Sequence, residues 1–269
     1  MVTHMPQATL ENHLRTELGR DDRAILLMTH VVVGFPSLEA NWRMLEIMQE
    51  AKVDLVELQM PFSEPVADGP TFVRANQLAL EAGLSVDEYF DFMSRATASF
   101  SFPHLMMGYY NTAYKLGHEV FCERLRAADA AGFILPDLPF EEYGDLFDLS
   151  RDNGLSPILL MTPTNRQERL AAIGERASGF VYAVARKGVT GKKTELEQGL
   201  YRFVGRCREA TRLPLAVGFG LRQRQDVELL HGRVDIAIVG SALLEAWESG
   251  GEDAYRGLLT ELAAGRAPA

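Results

Sequence analysis

Three carboxylates crowd one stretch of the chain, Glu57-Leu58-Gln59-Met60-Pro61-Phe62-Ser63-Glu64-Pro65-Val66-Ala67-Asp68-Gly69-Pro70. Glu57 continues an apolar run, Val53-Asp54-Leu55-Val56, that reads as a short buried strand. A carboxyl at the end of such a strand is either a salt-bridged structural group or a general acid–base group in an apolar pocket. Asp68 has two readings as well, a second functional carboxylate or a helix N-cap before Thr71. Asp137, in Pro136-Asp137-Leu138-Pro139, reads as a further cap or site residue. Three glycine-bearing segments form the second group of candidates: Arg186-Lys187-Gly188-Val189-Thr190-Gly191, Val217-Gly218-Phe219-Gly220 and Val239-Gly240-Ser241. Each follows an apolar run, and the last opens a helical pattern from Ala242 to Trp247. Backbone N–H groups at a helix N-terminus suit a phosphate dianion, and Ser241 adds a hydroxyl donor. The bland alternative is three tight turns.

Positioning these groups requires a regular scaffold. Strands are predicted at about 25–33, 53–58, 103–109, 132–135, 156–161, 179–184, 214–217 and 234–239, alternating with amphipathic helical patterns. Several strands are apolar on consecutive residues, such as Ile158-Leu159-Leu160-Met161 and Ile236-Ala237-Ile238-Val239. That pattern suits parallel strands covered on both faces. Eight strand–helix pairs without a Gly/Ser-rich linker predict one (β/α)8 TIM barrel over residues 1–269, with an open doubly wound sheet as the alternative. Helical patterns at 10–18 and 254–263 are extra N- and C-terminal helices. In such barrels chemistry gathers where strands end at the C-terminal face, and the phosphate site recurs near strands seven and eight. Glu57, Asp137 and the glycine segments all fall at strand ends.

Composition narrows the function classes. With 269 residues, 47% hydrophobic and 24% charged, the chain has ample material for a core. A formal net charge of -10 argues against nucleic acid or an anionic membrane as partner. Cys122 and Cys207 are far apart without CxxC spacing, and the histidines form no HExxH pattern, so no metal is expected. The polar N-terminus lacks a signal-peptide core, and no apolar run is long enough to span a bilayer, so a cytoplasmic protein is expected. Neither a Walker motif nor GxGxxG is present, and Ser63 lacks a GxSxG elbow.

The run from Glu57 to Pro70 resembles the most distinctive motif of the tryptophan synthase α subunit family, Glu-Leu-x-x-Pro-Phe-Ser-(Asp/Glu)-Pro-x-Ala-Asp-Gly-Pro. Tyr109-Tyr110-Asn111, Pro136-Asp137-Leu138-Pro139, Arg186 to Gly191, Gly218-Phe219-Gly220 and Gly240-Ser241 follow in the family's order. The resemblance implies a lyase that splits indole-3-glycerol phosphate into indole and glyceraldehyde 3-phosphate. It assigns acid–base work to Glu57 and stabilisation of the indolenine nitrogen to Asp68. Phosphate would lie on Gly191, Gly220, Gly240 and Ser241, with Tyr182, Phe219 and Tyr109 around the substrate. Thr190 would bond the catalytic aspartate on closure. Glu64 would touch a β subunit, in an α2β2 assembly whose pyridoxal phosphate belongs to that partner, leaving this chain without a cofactor. The rival readings are a stand-alone lyase releasing free indole and a mainly regulatory subunit. The chain departs from the family pattern at Gly34-Phe35-Pro36, at His30 and Val32 where an aromatic and a threonine are common, and at Glu64 in place of aspartate. His30 would put a polar edge near the indole pocket.

Overall fold

The computed structural model describes residues 7–185, 193–218 and 220–268. The strands are β1 (Leu26–Val32), β2 (Leu55–Gln59), β3 (His104–Met107), β4 (Gly132–Ile134), β5 in two pieces (Ser156–Pro157 and Leu159–Met161), β6 (Val181–Val184), β7 (Leu215–Gly218) and β8 (Ile236–Val239). The helices are α1 (Gln7–Leu18), α2 (Leu38–Glu50), α3 (Pro70–Glu81), α4 (Val86–Ser99), α5 (Tyr110–Leu116), α6 (His118–Ala127), α7 (Leu146–Asp152), α8 (Gln167–Arg176), α9 (Lys193–Ala210), α10 (Arg224–Glu228) and α11 (Ser241–Ala264).

All ladders are parallel, and β1 lies between β2 and β8. The first piece of β5 pairs with β4 and the second with β6. Ile158 between the pieces donates its N–H to Phe133 O at 2.9 Å. The two ends of the hydrogen-bonded order are therefore halves of one strand, and the sheet closes into the expected (β/α)8 barrel. Pro157 has no N–H to offer a ladder, which accounts for the break in pairing at this point.

Strand alternation separates two apolar layers. Leu26, Met28, Leu55, Leu105, Met107, Ile134, Ile158, Ala216, Ile236 and Ile238 fill the barrel, and Leu10 and Leu14 of α1 pack into the same cluster. The opposite faces of the strands, with Leu27, Val56, Leu58, Met106 and Phe133, meet the helices. The predicted face of α2 is buried at Met44, Leu45 and Met48, and Asn41 joins it. The two helical patterns expected near the C-terminus form a single run, α11, broken at Gly251 with φ 63° and ψ -148°. Only glycine adopts that conformation without strain. No helix among the described residues is long and apolar enough to cross a membrane.

Candidate active site

Interior-facing residues switch from apolar to polar at the C-terminal ends of β1 and β2. Parity puts His30 above Met28, and Glu57 and Gln59 above Leu55; His30 and Glu57 are register partners. A second polar group arrives from the segment after β2, which turns through Val66 and brings Asp68 back over the strand end. His30, Glu57 and Asp68 border a cavity of about 280 Å³, walled by Phe72, Met107, Ile134, Pro136, Leu160, Tyr182 and Val184 and reached by Ser241. Tyr89 of α4 donates to Leu58 O at 2.8 Å, pinning β2 between Glu57 and Gln59.

Glu57 is buried, and its Oε2 has no hydrogen-bond partner. His30 Nδ1 stands 3.4 Å from that oxygen, a charge contact too long for a good hydrogen bond. His30 Nε2 lies 2.7 Å from Gln59 Oε1, and Gln59 Nε2 donates to Asp68 Oδ2 at 2.7 Å. Asn76 of α3 completes the row, with Nδ2 3.4 Å from Asp68 Oδ2. The two carboxylates predicted to work together are thus joined through His30 and Gln59.

Burial is the largest influence on Asp68 and holds its carboxyl above the usual range, against the opposing pull of His30, Gln59 and Tyr109. Burial also acts most strongly on His30, in the lowering direction. Glu57, Asp68 and Gln59 together outweigh it and leave the imidazole above its ordinary value. The Tyr182 hydroxyl is held well up by burial, with Glu57 and Asp68 adding to the effect, and stays a neutral donor.

Several expectations resolve differently from one another. Asp68 is no helix cap: the N-cap of α3 is Gly69, which makes no side-chain cap bond. Asp137 is a cap, though of a helix elsewhere, accepting from Tyr110 N at 2.9 Å at the start of α5. Tyr109 lies beneath the 60–69 segment, outside the cavity lining. Its hydroxyl accepts from Ala67 N at 3.1 Å, and its ring stacks on Phe62 at 5.1 Å. Glu64 is exposed on the same segment, two residues from Val66, which is 76% exposed.

Ser241 is the first residue of α11, and no side chain caps that helix. The uncapped first turn therefore points its N–H dipole at the cavity edge. The glycines near it have distinct local reasons. A Cβ on Gly240 would meet Phe72 Cζ at 2.9 Å, so this glycine makes room for the ring that lies 4.4 Å from His30. Gly220 sits at φ +69°, in the left-handed region. Gly218 leaves space for the Tyr182 hydroxyl, 3.3 Å from where a Cβ would be. Thr190, Gly191 and Phe219 lie outside the described residues.

Gln59 and Asn76 escape motif reasoning. Gln59 had one available signal, its i+2 spacing from Glu57, which places both on one strand face. Chemically the site offers a buried carboxyl at the floor, a second carboxylate on a loop, apolar walls for a flat ring and a helix N-terminus for an anion.

Residues 17–265 match the family model described as Tryptophan synthase alpha chain. The tryptophan synthase alpha chain of Syntrophotalea carbinolica is 44% identical over 253 residues, covering 94% of this chain and 99% of that protein. That of Desulforapulum autotrophicum is 43% identical over 254 residues, covering 94% and 100%. Tryptophan synthase of Mycobacterium tuberculosis, in space group F222, superposes with a TM-score of 0.87 at 31% identity, over 99% of this chain and 100% of that one. The chain from a tryptophan synthase complex of Pyrococcus furiosus gives 0.80 at 28% identity, over 90% and 99%.

Proposed function

The chain belongs to the tryptophan synthase alpha chain family, a family of lyases, and from that premise we propose that it cleaves indole-3-glycerol phosphate with Glu57 and Asp68 as the working pair. One observation carries this reading: two carboxyls from separate segments border one apolar-walled cavity that also receives the N-terminus of α11.

In this reading the indole ring lies against Phe72, Met107, Ile134 and Leu160, and the phosphate meets the first turn of α11 at Gly240 and Ser241. Gly220, and Gly191 and Phe219 outside the described residues, are assigned to the same phosphate and ring environment. Glu57 delivers a proton to indole C3, which leaves positive charge on the ring nitrogen. Asp68 stabilises that charge. The Glu57 carboxylate then takes the proton of the C3′ hydroxyl, the C3–C3′ electrons return to the ring, and indole and glyceraldehyde 3-phosphate separate. Glu57 ends the cycle with the proton it began with, so the step balances without a cofactor. General acid–base catalysis typically contributes ~10²–10⁴-fold. Tyr109 anchors the loop that carries Asp68, and Thr190 is assigned to closure over it.

The partner in this reading is a β subunit that holds pyridoxal phosphate and docks on the exposed face of the 60–69 segment at Glu64. The test is indole release from indole-3-glycerol phosphate by wild type and Glu57→Gln, with and without a cognate β subunit. Loss of at least ~10²-fold in Glu57→Gln is expected. A variant retaining a tenth of kcat would end the assignment, and a wild type indifferent to the β subunit would favour a stand-alone lyase.

A further inference from the structure

Main-chain groups fix the hydrogens along the polar row under the cavity. The Phe62 N–H can only donate and the Phe72 carbonyl can only accept. They bond Asn76 Oδ1 at 2.9 Å and Asn76 Nδ2 at 2.8 Å, which gives that amide one orientation. Asn76 Oδ1 then faces Gln59 Nε2 at 3.4 Å, and Asp68 Oδ2 accepts from the same nitrogen. Gln59 must therefore turn Oε1 toward His30. An amide oxygen cannot donate, so His30 Nε2 carries a hydrogen. The ring has one position left to titrate, Nδ1, and it faces the buried Glu57 Oε2 that has no other partner. With no proton between them, two lone pairs oppose each other. With a proton on each, two donors do so.

We propose that His30 and Glu57 hold one proton between them, and that His30 Nδ1 is the store from which Glu57 draws the proton it delivers to the substrate carbon. The inference deepens the acid–base reading of Glu57 and rests on it. In the exchange the 3.4 Å gap closes to hydrogen-bond distance, the Nδ1–H bond breaks and the Oε2–H bond forms, so imidazolium and carboxylate become neutral imidazole and carboxylic acid. Reversal after the hydroxyl proton is taken restores the resting pair. His30 acts through Glu57 and is a positioning residue for its proton.

The arrangement answers a physical need. An isolated glutamate in water, with a pKa of ~4.3, is protonated at roughly one part in 500 at pH 7. A pair that shares one proton keeps a fixed fraction of it on the carboxyl until the pair itself deprotonates. The groups facing the pair are consistent with this. Asp68 lies beyond Gln59, the Tyr182 and Tyr89 hydroxyls stay neutral, and the Phe72 ring covers His30. None of the described cavity-lining residues is Lys or Arg. Burial alone would favour a neutral ring; the anionic neighbours reverse that.

Two readouts test the proposal. The first needs no substrate: nitrogen-15 NMR titration of the His30 ring, assigned with His30→Phe. The wild-type ring should titrate above ~6.5 with Nε2 protonated throughout, and Glu57→Gln should move its midpoint below that value. The second is the pH profile of kcat/KM for indole release. Removing His30 should move the alkaline limb toward acid by about one unit, with the rate recovering at lower pH, in His30→Phe or, if that variant misfolds, His30→Gln. A midpoint unmoved by Glu57→Gln, or an unmoved limb in a natively folded His30 variant, overturns the shared proton. A wild type without lyase activity would sink the proposed reaction, while the ring titration would still decide the pair.

Discussion

At Asp68 the chemistry and the fold pull in opposite directions. Its carboxyl is partly buried, and its folded pKa lies above the ordinary value, with burial as the leading cause. A raised carboxyl contributes stability below its unfolded pKa and loses that contribution as pH rises through the folded value. At neutral pH the ionised group is therefore a cost to the fold. Asp68→Asn should keep or raise the urea midpoint at pH 7 while kcat falls by about 10²-fold and KM changes little, because in the proposed reaction the charge matters once the ring nitrogen is positive. A less stable variant with near-normal kcat would reduce Asp68 to a loop anchor.

Two elements carry consequences of their own. The 60–69 segment holds exposed Glu64 and cavity-lining Asp68 only a turn apart, tied by Val66 N to Glu64 O at 2.8 Å and Asp68 N to Pro65 O at 2.9 Å. A β subunit gripping Glu64 would bias where Asp68 sits. Such coupling is typically ~1–3 kcal/mol, or about 5–150-fold. Glu64→Ala should remove much of the activation by β subunit and leave the partner-free rate nearly unchanged; equal loss of both rates would put Glu64 in the pocket. The second element is β3, whose His104 faces the helix layer. Burial holds its pKa down to about 3, and its Nε2 has no partner. The unfolded chain takes up this proton below ~6.5 and the folded chain does not, so stability falls as pH falls from ~6.5 toward 3. Between pH 7 and 5 the loss is on the order of 2 kcal/mol, at 1.36 kcal/mol per pH unit below ~6.5. Urea melts at both pH values should show it in wild type, and a smaller change in His104→Leu. The same acid sensitivity in both would clear His104 of the effect.

For the whole molecule, the end of the barrel away from the site is locked by a residue near the C-terminus. Arg266 pairs with buried Asp54 at 2.9 Å and also donates to Ala51 O and Lys52 O beyond α2. Arg23 approaches the other Asp54 oxygen at 3.3 Å, and Leu27 N donates to Asp54 Oδ2 at 2.7 Å. One carboxylate thereby ties the chain after α11 to the start of β1 and β2. Breaking a buried pair by deleting one partner costs roughly 3–5 kcal/mol, mostly from the charge left behind. Arg266→Ala should lose about that much in urea denaturation, with KM of the surviving folded enzyme unchanged. A loss under ~1 kcal/mol, the level of a surface ion pair, would contradict this role.

By itself the sequence determined the strand and helix order, because buried parallel strands and amphipathic helices leave local periodicities. It also determined where Glu57 and the α11 N-terminus had to lie, because each is tied to a strand end, whereas Asp68, nine residues beyond β2, was open to a cap reading until the loop was seen to turn back. Barrel closure was another matter: it depends on β1 meeting β8 and on β5 pairing to both sides, contacts that no local pattern encodes. Tertiary structure alone likewise settled that Gly240 clears a space for Phe72 and that Tyr109 supports a loop. The row Glu57, His30, Gln59, Asp68 and Asn76 draws on β1, β2, a loop and α3. Hydrogen-bond partners there are chosen by direction and by which groups can only donate or only accept. Those constraints act through space, and they exist only once the strands are side by side.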